Sequence, residues 1–162
     1  MREMCLHLAG QKDKTLLKIA LALSAFIIDQ VSKIWALKNC PSGISVPLIP
    51  RFLYLTLTEN KGIAFGALSA FNSLFLSLLS LTIVILLVYF WREHSPYLYL
   101  IVGGALGNIL DRIRLGYVVD FIHIRFWPVF NIADICILLG VILTLISTLR
   151  KKGGKEDVSD NI

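Results

Sequence analysis

A chain of 162 residues with 56% hydrophobic side chains and a mean hydropathy of +0.74 is one domain long and too apolar for an ordinary soluble domain, so it reads as an integral membrane protein. Its net charge of +5 could suit nucleic acid, but the basic residues gather at both ends, with Arg2, Lys12, Lys14 and Lys18 first and Arg150, Lys151, Lys152 and Lys155 last. Such flanking charge marks membrane topology rather than a phosphate-binding face, and excludes a nucleic-acid partner.

Four apolar stretches approach the roughly 20 residues that a helix needs to cross a bilayer: residues 15–37, 71–91, 97–113 and 131–149. The first has the basic flank of a signal peptide but is long, contains Asp29 and Lys33, and is followed by no small-residue cleavage site, so it is expected to stay as a helix. Asp29 and Lys33 are spaced i,i+4, which puts them on one helix face where each neutralises the other.

Between the first two spans, "SVPLIPRFLYLTLTENKGIAFG" alternates Phe52, Tyr54, Thr56 and Thr58 with Leu53, Leu55 and Leu57. This period predicts short strands in a small sheet resting on the membrane surface, then a turn at Asn60–Gly62 and a short interfacial helix in "IAFGALSAF". Tyr89, Trp91, Tyr97 and Tyr99 fall at the ends of the second and third spans, where aromatic rings suit the membrane interface.

The third span ends in "GNILDR". Gly103, Gly104 and Gly107 allow a neighbouring helix to approach closely, while Asn108, Asp111 and Arg112 crowd its last turns. Arg112 either reaches for the interface with Asp111 as its local counter-ion, or the three polar groups organise a site.

"VVDFIHIRFWPVFNIAD" then places two carboxylates in oily sequence. Alternation in its first half predicts an extended segment with Asp120 among apolar neighbours, where desolvation favours the protonated acid. Pro128 breaks the segment. Asn131 makes a good N-cap for the last helix, and Asp134 in its first turn complements the helix dipole, a setting that also suits a carboxylate acting as base. Two carboxyls held in contrasting environments are an arrangement for acid/base chemistry on water, provided the fold brings them together.

Basic residues place both termini and the connection between the second and third spans on the cytoplasmic side, so the two polar-rich connections face outward. The expected organisation is a cytoplasmic extension at 1–14, a four-helix membrane domain at 15–152, and a polar disordered tail at 153–162.

Cys5, Cys40 and Cys136 show no C-x-x-C spacing, and His7, His94 and His123 form no metal motif, so no metal or cofactor is expected. A cysteine hydrolase built on Cys136 and His123 is disfavoured because Cys136 falls within the apolar fourth helix. A small transporter or proton channel relaying through Asp29, Asp111, Asp120 and Asp134 is the alternative from another class, although no internal repeat accompanies it. A structural assembly factor leaves Asp120 unexplained.

Taken in order, "DQVSK", "NKGIAF", "GGALGNILDR", "VVDF" and "FNIAD" resemble the motifs of the bacterial lipoprotein signal peptidases, the type II signal peptidases. The resemblance implies an all-α membrane aspartyl endopeptidase of four helices with a small extracytoplasmic sheet and its active site near the outer leaflet of the bacterial inner membrane. It implies prolipoprotein substrates already bearing diacylglycerol on the lipobox cysteine, cleaved just before that cysteine, with membrane lipids as surroundings and no obligate protein partner. Carried onto this chain, Asp120 and Asp134 are the catalytic pair. Asn60, Asn108, Arg112 and Asn131 bind substrate or support the pair, and Asp29, Lys33, Gly62 and Asp111 have structural or supporting duties.

Overall fold

The computed structural model describes residues 2–62, 73–91 and 95–159. Helix α1 (Arg2–Asn39) is followed by strands β1 (Ser45–Ile49) and β2 (Leu53–Asn60), helices α2 (Ser73–Trp91) and α3 (Leu98–Leu115), strand β3 (Val118–Ile124) and helix α4 (Ile132–Ser159). The described residues are thus mostly helical, with one antiparallel sheet among them in the order β1-β2-β3. The segment expected as an interfacial helix, residues 63–71, lies outside the described residues, whereas α4 stays helical through 153–159, where a disordered tail is expected. No proline removes a backbone donor from that stretch, although Gly153 and Gly154 each disfavour a helix.

Two segments, Lys14–Asn39 and Ile132–Arg150, are long and apolar enough to cross a membrane. The apolar run of α2, Phe75–Phe90, is shorter, and α3 carries Asp111, Arg112 and Arg114 in its last turns, so among the described residues two of the four expected spans meet the length and composition requirement. The surface is inverted relative to a water-soluble protein. Leu23, Ile27, Ile28, Val31 and Ile34 on α1, and Leu138, Val141, Ile142, Leu145 and Leu149 on α4, are all exposed, while Asp29, Lys33, Asp111 and Asn131 are buried.

Helix α3 is the hub, packing on α1, α2 and α4. A Cβ at Gly104 would meet the Ala133 carbonyl of α4, and one at Gly107 would strike the Asp29 carboxylate of α1, so small residues here set both helix separations. The helix ends at Gly116, whose φ of 83° is the left-handed C-cap conformation and whose N–H donates to Arg112 O at 3.1 Å. That stop delivers the chain directly into β3. After β3 the chain turns through Pro128 and returns beside it, with Ile122 and Phe130 exchanging two backbone hydrogen bonds of 2.9 Å. Ala36, Cys40 and Phe121, with Leu55, Leu57, Ile122 and Ile132 around them, join the end of α1 to the sheet.

Candidate active site

The alternation expected across 118–125 fails in its first half, where Val118, Val119, Asp120 and Phe121 are all buried. Both α1 and α3 pack against the strand, so its first four residues are enclosed on both faces. Asp120 is 2% exposed. Burial lifts its pKa to about 6; the nearby charge of Asp134 pushes the same way, and hydrogen bonds from Asn60 and Asn131 oppose the rise.

The turn after β3 brings Asn131 against Asp120. Asn131 Nδ2 donates to Asp120 Oδ1 at 2.7 Å and to Asn108 Oδ1 at 3.1 Å. Asn131 is also the N-cap of α4, its Oδ1 accepting from the Asp134 N–H at 3.0 Å, while Asp134 Oδ2 accepts from the Asn131 N–H at 3.3 Å. This reciprocal pair is a capping box, so the helix start and the meeting of the two carboxylates are made by the same residues. Cap and site are therefore not competing explanations of Asn131 and Asp134.

Each carboxylate receives two N–H donors, one on each oxygen. Asp120 Oδ2 accepts from Asn60 Nδ2 at 2.9 Å, and Asp134 Oδ1 accepts from Asn108 Nδ2 at 3.0 Å. The amides have no freedom to turn over. Gly62 N–H donates to Asn60 Oδ1 at 2.9 Å, Lys33 Nζ donates to Asn108 Oδ1 at 2.8 Å, and the Asp134 N–H holds Asn131 Oδ1. An ammonium or a backbone N–H can only donate, so each amide must present its oxygen there and its NH2 to a carboxylate. Gly62, with φ of 88°, supplies a backbone geometry that a larger residue resists, and a Cβ there would strike Leu76 of α2.

Behind the amides lies a buried charge cluster. Lys33 Nζ contacts Asp29 Oδ2 at 2.9 Å, Asp111 Oδ2 at 2.8 Å and Asn108, which uses all three ammonium protons. The expected Asp29–Lys33 pair is present. Of the two readings open for Asp111, counter-ion of Arg112 or part of an organised polar site, the contacts favour the second: it pairs with Lys33 and accepts from the Val119 N–H at 3.2 Å, because its position on α3 points it toward α1 and the start of β3. Asp29 Oδ1 reaches across to accept from the Ala133 N–H at 2.8 Å, satisfying an open donor in the first turn of α4. Arg112 is half-buried, and its charge acts on Asp134, Asp120 and Asp111.

All ten residues singled out in the sequence thus converge on one region. Gln30 was not among them, yet its Nε2 lies 3.2 Å from Asp29, 3.1 Å from Asp111 and 3.3 Å from Gly107 O, tying α1 to α3. Its place beside Asp29 in "DQVSK" is the one available signal. An apolar groove of about 460 Å³, lined by Ile124, Trp127, Phe130, Ile135 and Leu138, opens onto Asp134. It too was missed, since its walls come from β3, the following turn and α4. His123 is engaged on the sheet by Thr56 Oγ1 at 3.2 Å and by the Tyr54 ring. Among the described residues, no three His, Cys, Asp or Glu side chains are placed to hold a metal ion.

Residues 21–150 match the profile of a family described as signal peptidase (SPase) II. A lipoprotein signal peptidase of Moorella thermoacetica is 42% identical over 147 residues, covering 85% of this chain and 97% of that protein. Another, from Syntrophomonas wolfei, is 43% identical over 132 residues, covering 78% and 89%. A solved structure described as a bacterial membrane enzyme obtained by the in meso method at 2.3 Å superposes with a TM-score of 0.74 at 36% identity, over 85% of this chain and 90% of that one. A second, at 1.9 Å, gives 0.72 at 37% identity over 82% and 92%. By a profile match spanning most of its length and by relatives aligned nearly end to end, the chain belongs to the signal peptidase II family.

Proposed function

We propose that this chain is an aspartyl endopeptidase that removes the signal peptide from diacylglyceryl-modified prolipoproteins, cutting just before the lipidated lipobox cysteine. The observation that carries this reading is that Asn131 donates to both carboxylates, its side-chain Nδ2 to Asp120 Oδ1 and its backbone N–H to Asp134 Oδ2. Asp134, half-buried at the groove, is the better placed base, and Asp120, buried with its pKa lifted to about 6, the better acid.

In the reaction, a water held between the two carboxyls gives a proton to Asp134 as its oxygen attacks the scissile carbonyl carbon. Asp120 donates its proton to the carbonyl oxygen, forming a neutral tetrahedral diol. Collapse returns a diol proton to Asp120 and passes the proton on Asp134 to the leaving nitrogen as the C–N bond breaks. Asn60 and Asn108 hold the carboxylates in register, and Arg112 offsets their summed charge. The apolar groove beside Asp134 suits a small apolar side chain or the lipid-bearing end of the peptide.

All four helices cross the inner membrane in this reading, with both termini cytoplasmic and the sheet at the outer face, as the basic flanks suggest. The relay reading draws less support, because Asp29 and Asp111 are both tied to Lys33. The test uses purified protein and a diacylglyceryl-modified prolipoprotein, with cleavage followed by gel shift. Asp120→Asn and Asp134→Asn are each expected to abolish cleavage while the protein still inserts; normal turnover by either variant removes the dyad.

A further inference from the structure

At one end of the sheet, the turn joining β1 to β2 and the turn leaving β3 are bonded side by side. Arg125 N–H donates to Phe52 O at 3.2 Å, Phe52 N–H to Ile49 O at 3.1 Å, and Trp127 N–H to Ile124 O at 2.8 Å. These bonds fix the backbone so that the large side chains on it face outward. Phe126 is 88% exposed, Trp127 65% and Phe52 56%. Three aromatics so exposed on one rigid tip are far from the scattered apolar residues of an ordinary surface.

The charge on the tip is of one sign. Arg51 and Arg125 flank the aromatics, with the Arg125 guanidinium 5.4 Å from the Phe126 ring centre, and no Asp or Glu occurs in residues 41–58 or 121–133. The tip is also continuous with the lipid-facing helix surface, since Trp127 lines the same groove as Leu138 of α4. Aromatic rings beside arginines, at the end of an apolar helix face, match a layer whose inner part is hydrocarbon and whose outer part carries phosphate.

We propose that this tip is a phospholipid-binding anchor: Phe52, Phe126 and Trp127 enter the interfacial layer, and Arg51 and Arg125 bind the phosphate of an anionic phospholipid in preference to a zwitterionic one. The anchor fixes the depth of β3, and with it Asp120, relative to the membrane surface. It rests on the reading that the chain spans the membrane with the sheet at one face, and does not depend on proteolysis.

The full chain is reconstituted as two single-tryptophan proteins, W35F/W91F retaining Trp127 and W91F/W127F retaining Trp35. Vesicles are phosphatidylcholine alone or an equal mixture with phosphatidylglycerol, and one or the other lipid carries bromine on its acyl chains. Trp35 lies in the apolar span of α1 and reports insertion. Trp127 emission is expected to be quenched by brominated lipid and shielded from iodide, with brominated phosphatidylglycerol favoured over brominated phosphatidylcholine. The preference should be on the order of fivefold for each arginine and should fall to near unity in R51Q/R125Q.

Quenching of Trp35 with iodide-accessible, bromine-insensitive Trp127 overturns the anchor and leaves the spanning reading intact. Failure to quench Trp35 overturns the spanning reading itself. Shielding of Trp127 from both quenchers indicates a contact with a second copy of the chain and also overturns the anchor. Equal quenching by the two lipids from the outset refutes the anionic preference.

Discussion

Replacing Asn131 with serine separates its two duties. A serine hydroxyl can still accept from the Asp134 N–H and cap α4, but it loses the Nδ2 donor that reaches Asp120 at 2.7 Å and Asn108 at 3.1 Å. That donation favours the ionised form of Asp120, so removing it makes the carboxyl hold its proton more tightly. A hydrogen bond to a charged group contributes about 1.5–3 kcal/mol, equivalent to roughly one to two pH units. With Asp120 as the acid, kcat/KM in the wild type should decline as pH rises through about 6, the value for the free enzyme. In N131S this alkaline limb should move upward by about one unit or more. The assay is cleavage of a lipidated prolipoprotein across pH, alongside thermal unfolding in detergent. N131A loses the cap as well and should unfold at a lower temperature than N131S, by about 1 kcal/mol in stability. A folded N131S whose alkaline limb stays put or moves downward refutes the assignment of Asp120 as the acid.

Three further outcomes follow from the same geometry. Lys33→Met leaves Asp29 and Asp111 buried without their cation, so stability measured by chemical denaturation in detergent should fall by about 3–5 kcal/mol; a loss below about 1 kcal/mol contradicts the closed cluster. Gly107→Ala pushes a methyl into the Asp29 carboxylate and should cost about 1–3 kcal/mol in the same measurement, whereas Gly116→Asn, at a left-handed cap with open space around it, should cost much less. Asp120 binds its proton near pH 4 when unfolded and about 6 when folded, so the native state holds more protons between these values. Wild-type stability should therefore fall relative to D120N by about 3 kcal/mol as pH rises from about 4 to about 6, and stay lower above that; a difference that does not change with pH contradicts the buried acid.

The helices and strands were legible because their signals are local. Apolar runs marked α1, α2 and α4, Leu53 to Thr58 alternated with a period of two, and Asn131 with Asp134 announced a helix start. Asp120 stood out as a carboxylate without a local reason. What local pattern could not convey was which long-range partner each charge had. Asp111 precedes Arg112 in sequence, yet it is held by Lys33, 78 positions earlier, because α3 packs on α1 with that face inward. Nor does spacing show that β3 is covered on both sides, since the helices that cover it are remote in the chain. The groove at Asp134 is equally a product of three elements meeting, with no residue in it unusual for its own segment.

The three asparagines explain why the buried lysine cluster lies so close to the proposed dyad. A carboxylate pair held by ammonium groups directly would remain ionised and hold no proton for the carbonyl oxygen. Amides avoid this. Asn108 accepts from Lys33 on one side and donates to Asp134 on the other, so the cation orients the carboxylate without contacting it. Asn131 and Asn60 do the same for Asp120, with backbone N–H groups in place of the cation. Each amide converts a fixed donor into a positioned donor one residue further on, and passes along geometry with little charge. An aspartate at 108 would keep the Lys33 contact but turn an oxygen toward Asp134, placing two acceptors face to face. Asn108→Asp should therefore lose turnover while leaving the Lys33 cluster and the fold largely intact, which distinguishes a positioning amide from a merely structural one.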